Sequence, residues 1–223
     1  MLRSFSFEKL LLTFFIFIGL LIACRIYFSG SMLFSFLIWN IFLAWIPFKM
    51  SQYLLTTKGS KWKQGLLFAA WLLFFPNALY IITDLIHLEL ESSVPKWYDA
   101  ILLFSSSVMG LMMAFISLNR VEHYLGGKLG SKWRPWLVLV FIFLGSFGVY
   151  LGRFLRWNSW DIIRDPGGLI ENIIQRIIFP WKHLRTWGMT GILTVFFVLM
   201  YESIKRMPSY IWRQEGAKPT DPN

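Results

Sequence analysis

Of 223 residues, 56% are hydrophobic, 19% aromatic and only 15% charged, and the mean hydropathy is +0.54. That is too apolar for a soluble domain and marks an integral membrane protein. The net charge of +10 is spread over short connections between apolar runs, with no groove-sized basic patch, so it speaks against a nucleic-acid partner and for membrane topology and anionic lipid headgroups.

About 20 mostly apolar residues span a bilayer core as a helix. Six windows qualify, at about 7–24, 32–54, 65–84, 98–119, 135–152 and 187–204, and none alternates with the period of two that a barrel strand needs. The fold class expected is therefore all-α: a polytopic membrane helix bundle in one domain, 1–223, with about six transmembrane helices and a short tail, 205–223. The first window ends in "LIAC" at Cys24, a lipobox-like ending. Arg25 is an unusual residue to follow a lipobox, and further spans come after, so the run reads as an ordinary first span. As the sole cysteine, Cys24 leaves no intrachain disulfide and no cysteine-cluster metal site.

With the N-terminus in the cytoplasm, fourteen lysines and arginines fall inside and eight outside, so the positive-inside rule puts both termini in the cytoplasm. Trp62, Trp97, Trp133, Trp136, Trp157, Trp160, Trp181 and Trp187 lie near span ends, as interfacial belt residues do. One connection breaks the charge rule. The loop after the fifth span holds six basic residues on the outer side.

In the third span, "FFPNALYIITDLIHLELE" places a proline at Pro76, which predicts a kink and open backbone groups. At 100° per residue Asn77, Tyr80, Asp84, His87 and Glu91 fall on one polar stripe, while Glu89 lies off it. A regular helix rises roughly 29 Å from Gly65 to Asp84, which sets Asp84 at the outer boundary and His87 and Glu91 beyond it. Asp84, His87 and Glu91 are spaced to converge on a divalent metal, with Asp99 as a fourth ligand. Ion pairing with arginines, or solvation, is the alternative fate of these acids. If a reaction occurs here, Asp84 and His87 are the candidate acid–base pair.

The fifth span leaves the membrane as "YLGRFLRWNSWD". Arg153, Arg156 and Trp160 are expected to share a helical face, with Asn158 and Asp161 adding hydrogen-bonding groups at the same depth. Arginines beside tryptophans suit a phosphate or carboxylate, although Arg153 could instead pair with Asp84 or Asp99. Further on, Leu169, Ile170, Ile173, Ile174, Ile177 and Ile178 recur opposite Glu171, Asn172, Gln175 and Arg176, which predicts one interfacial amphipathic helix, an anchor or a lid. Ser106, Gly110 and Ala114, and Gly148 with Gly152, form small-residue ridges that allow close helix approach.

The segments "FFPNALYIITDLIHL", "WYD" at Trp97 to Asp99 and "YLGRFLRWNSWD" resemble the signatures of an uncharacterised bacterial integral-membrane family, domain of unknown function 1361. The likeness runs from the second span onward and departs at Ala78, where that pattern has proline. It implies a multi-pass protein of a bacterial cytoplasmic membrane and no known activity.

From the residues, the leading function is a polar site at the outer ends of spans three to five that binds or processes an anionic lipid or envelope precursor. A small transporter gated at Asn77, or a noncatalytic assembly factor docking another membrane protein, are the alternatives. No inverted repeat supports the transporter, and "GGKLG" lacks the spacing of a phosphate-binding loop.

Overall fold

The computed structural model describes residues 7–57, 60–90 and 93–216, and among them there is no strand. Helix α1 is Phe7–Ser29, α2 Phe36–Thr56, α3 Lys61–Tyr80, α4 Lys96–Leu129 and α5 Arg134–Leu155. Two short elements, α6 (Asp161–Arg164) and α7 (Pro166–Ile178), precede α8, Leu184–Gly216. The protein is an all-α membrane bundle with the amphipathic helix where the sequence puts it, as α7.

Among the described residues five helices, α1, α3, α4, α5 and α8, are long and apolar enough to cross a membrane. The second window, 32–54, is a helix too, α2, but Asn40, Lys49 and Gln52 dilute its apolar content. It offsets this by packing between α3 and α4, where Leu37, Ile41, Ala44, Phe48, Ser51 and Leu54 are buried. At the centre stands α4. Its most apolar stretch is 72% buried, against 22% for α1 and for α8, whose outer faces are left for lipid. It runs ten residues beyond the expected end at 119, to Leu129, and its buried Glu122 accepts from Lys205 Nζ at 2.7 Å and from the Tyr201 hydroxyl.

The proline expected to kink the third span does not end it, since α3 is helical through Pro76 to Tyr80. What changes is the winding beyond it. Ile81–Glu89 is a 3-10 helix, in which residues three apart eclipse one another, so Asp84 and His87 lie one above the other. Ser107 of α4 donates to the Ile81 carbonyl at 3.2 Å, where the winding changes.

Small residues let α3 sit between its neighbours. A Cβ on Gly110 would lie 2.8 Å from Ile81 Cδ1, and one on Gly148 would lie 2.5 Å from Cγ of the Pro76 ring. That ring cannot rotate away, so Gly148→Ala is expected to destabilise the protein by about 1–3 kcal/mol through overpacking. A Cβ on Gly152 would meet nothing nearer than 3.5 Å. Gly152→Ala should therefore be neutral, or stabilising by up to about 1 kcal/mol from helix propensity. Thermal unfolding of both variants in neutral detergent checks the contrast, and equal losses would refute the contact at Pro76.

Candidate functional site

One cluster of polar side chains gathers around Arg153 of α5. Asp84 is buried, and its carboxylate is fully engaged: Oδ1 accepts from Arg153 Nη2, and Oδ2 accepts from Asn40 Nδ2 of α2 at 2.8 Å. The same guanidinium donates from Nε to Thr83 Oγ1 at 2.9 Å and from Nη1 to His87 Nε2 at 3.2 Å. Because a guanidinium only donates, this contact is a hydrogen bond in the tautomer that leaves His87 Nε2 to accept. The Tyr80 ring lies 4.2 Å from the guanidinium carbon, a cation–π contact. Thus α3, its 3-10 extension and α5 meet on one arginine, α2 joins through Asn40 on Asp84, and the 3-10 winding is what aligns Asp84 and His87 to reach the guanidinium.

Of the two acids open to Arg153, the structure pairs it with Asp84. Asp99 pairs with Arg25 of α1, Nε to Oδ1 at 2.7 Å and Nη2 to Oδ2 at 3.3 Å, with both side chains buried. Asp99 therefore takes no part in the Asp84 cluster. Among the described residues no group of three His, Cys, Asp or Glu side chains lies together, and Glu91 lies outside them. The Arg153 guanidinium bridges Asp84 and His87, whose Nε2 is 4.0 Å from Oδ1, and the third residue of the expected metal set, Glu91, lies outside the described residues.

The expected face shared by Arg153, Arg156 and Trp160 is not formed. Helix α5 stops at Leu155, and Arg156 takes a left-handed conformation, φ 60°, that turns the chain out of the helix. Arg156 is exposed. Asn158 and Asp161 bond to each other: the Asn158 amide N–H donates to Asp161 Oδ2 at 2.7 Å, closing the turn before α6. This reversal carries Ser159 back to α3, where its hydroxyl donates to the Leu73 carbonyl at 3.1 Å and accepts from Asn77 Nδ2 at 2.8 Å. Asn77 also donates to the Phe74 carbonyl at 3.1 Å. The amide beside Pro76 is thus the anchor of the loop after α5.

Beneath that loop is a half-open cleft of about 500 Å³, walled by α2, α3, α5 and α7. Leu43, Leu72, Phe147, Leu151, Leu169 and Ile173 make it apolar, and Asn40, Asn77, Tyr80, Asn158 and Ser159 add polar groups. Trp157, Trp160 and Trp187 line it, so three of the eight expected belt tryptophans turn inward, while Trp62, Trp97, Trp133, Trp136 and Trp181 are exposed. A second, larger groove of about 800 Å³ lies between α1, α2 and α4. Its charged and hydroxyl groups are Ser35 and the Glu8–Lys49 pair, so it has no converging polar set.

A family model described as a protein of unknown function, DUF1361, matches residues 39–200. The chain belongs to this family. No curated protein and no solved structure matches it. The DUF1361 match begins inside α2 and ends inside α8, so it takes in the cleft and the whole Arg153 cluster but leaves out α1. Within this DUF1361 protein, sequence reasoning missed Asn40, Thr83 and Ser159 as members of the site. Asn40 was readable as an amide in an otherwise apolar run, "IWNIF", whereas Thr83 and Ser159 carry no local signal.

Proposed function

We propose that this protein binds a membrane amphiphile in the cleft between α2, α3, α5 and α7, at the extracytoplasmic side of a cell membrane. The observation that carries the reading is the cleft itself: its volume lies in the range of about 300–1,000 Å³ typical of small-molecule sites, and it combines apolar walls with a few converging polar groups. Helix α7 covers one side with Leu169 and Ile173 and turns Ile170, Ile174 and Ile178 outward, as an interfacial helix does when its apolar side meets lipid. An apolar tail entering from the bilayer would find Leu72, Phe147 and Ile173, and a polar head would find Asn158 and Tyr80. The lysine and arginine balance favours an outward-facing cleft.

Binding fits better than acid–base chemistry. Both oxygens of Asp84 already accept hydrogen bonds, and the Arg153 guanidinium bridges Asp84 and His87, so the pair is occupied structurally within the fold. The Asn77 amide is committed to Ser159 and the Phe74 carbonyl, which speaks against a mid-membrane gate.

Ile173→Trp adds bulk to a side chain on the cleft wall. Protein purified in neutral detergent should carry an amphiphile detectable by mass spectrometry of the extract, at about one per chain, and the variant should carry at least tenfold less. Equal amounts in both proteins, or none in either, would sink the reading.

A further inference from the structure

The loop that breaks the charge rule holds an arginine whose charge nothing in the fold answers. Arg176 of α7 is 7% exposed, yet among the described residues it has no carboxylate partner. Its Nη1 donates to its own helix, to the Asn172 carbonyl at 2.7 Å and to Asn172 Oδ1 at 3.0 Å. Its Nε is buried with no partner. A buried guanidinium without an anion is costly and is retained where something else supplies the negative charge.

Arg176 is not itself among the residues lining the cleft, and two observations place it directly behind that wall. At 100° per residue it lies within about 60° of both Leu169 and Ile173, the α7 residues on the cleft wall, so it belongs to the face turned to the bundle. Its carbonyl accepts the Trp187 indole N–H at 3.1 Å, and the Trp187 ring is itself part of the wall, stacked 5.5 Å from Phe147. Asn172 takes Nη1, and the buried, unpartnered Nε forms with Nη2 the other edge of the guanidinium. That edge is a fork that matches two oxygens of one oxyanion.

We infer that Arg176 is an oxyanion-binding residue at the α7 side of the cleft, taking the phosphate or carboxylate of the bound molecule through Nε and Nη2. This rests on the cleft being an amphiphile site, and it names the headgroup as anionic. Arg153 is not the headgroup residue, because Asp84 neutralises it; Arg176 is buried, unneutralised and next to the apolar wall.

The test titrates protein in neutral maltoside micelles with dodecyl phosphate, dodecanol or inorganic phosphate and reads the midpoint of thermal stabilisation. Wild type should be stabilised by dodecyl phosphate. Arg176→Gln should raise that midpoint by about 10- to 100-fold, the loss expected for charge-assisted hydrogen bonds, and leave the dodecanol midpoint unchanged. Arg176→Lys keeps the charge without the fork and should fall between, and it decides the matter if the Gln variant does not fold. An unchanged dodecyl phosphate midpoint in either Arg176 variant overturns the inference, and so does a wild type that responds to neither phosphate. If Ile173→Trp then abolishes the dodecanol response, the cleft stands and only the Arg176 assignment falls. Inorganic phosphate acting at the same midpoint as dodecyl phosphate, with the same loss in Arg176→Gln, upholds the oxyanion site but makes free anion its ligand and removes the amphiphile reading.

Discussion

Asp84→Asn is expected to destabilise the protein by about 3–5 kcal/mol, the usual cost of removing one partner from a buried ion pair. Asp84 is 1% exposed as a side chain and Arg153 12%, so water cannot replace the lost charge. The amide also fails by count. Two donors, Arg153 Nη2 and Asn40 Nδ2, converge on the two oxygens of Asp84, and an amide offers one oxygen and two further donors. Whichever way it turns, one donor faces another. Replacing both charges, as in Asp84→Leu with Arg153→Met, should recover most of the loss, because the pair is then deleted rather than broken. A double-mutant cycle on thermal or denaturant unfolding in detergent measures the coupling. If Asp84→Asn stayed within about 0.5 kcal/mol of wild type, the surface-like value, the pair would not be the clasp its geometry describes.

This changes how loss of function at Asp84 has to be read. A catalytic carboxylate can be amidated without harm to the fold, but here the fold itself depends on the carboxylate. Reduced activity in an Asp84 variant is diagnostic only beside a stability measurement, and the Arg176 and Ile173 variants are cleaner probes because neither touches the clasp.

Class, helix positions and four of the six residues of the Arg153 cluster are legible in the sequence because polar residues in apolar runs stand out at any spacing. Asn77, Tyr80, Asp84 and His87 are of that kind, and so is Arg153. Which acid Arg153 would choose was not legible: Asp84 and Asp99 are equal candidates along the chain, and the choice is made by Arg25, 74 residues from Asp99. The 3-10 winding after Tyr80 has no proline or glycine to announce it. The left-handed turn at Arg156 has neither glycine nor asparagine to mark it, so the sequence predicts a helix that runs on and a face that Arg156 does not share. Arg176 was assigned to the polar side of an amphipathic helix, the sound default for a charge beside lipid. The fold instead turns it inward.

Asp99→Asn is expected to act locally where Asp84→Asn acts globally. Helix α1 packs chiefly on α4, and its hold there at this end is the two-pronged Arg25–Asp99 pair together with the Tyr98 hydroxyl, which donates to the Leu21 carbonyl at 2.8 Å. Arg25 also lies 4.6 Å from the Phe34 ring, in the connection between α1 and α2. Once Asp99 is neutral, a guanidinium 2% exposed is left beside an amide, a loss again of about 3–5 kcal/mol if the helix stays docked. But α1 is the outermost part of this contact, and by moving away from α4 it can return Arg25 to the interface, so the measured loss is capped at the cost of that undocking. Asp84 has no such escape, being held between α2 and α5. The difference is readable by amide hydrogen exchange: Asp99→Asn should speed exchange in α1 around Leu21–Ser29 by at least tenfold while α3 and α5 remain as in wild type, and Asp84→Asn should weaken protection in α2, α3 and α5 together. Faster exchange throughout the bundle in Asp99→Asn would show that α1 is as much a part of the cooperative core as the helices around Arg153.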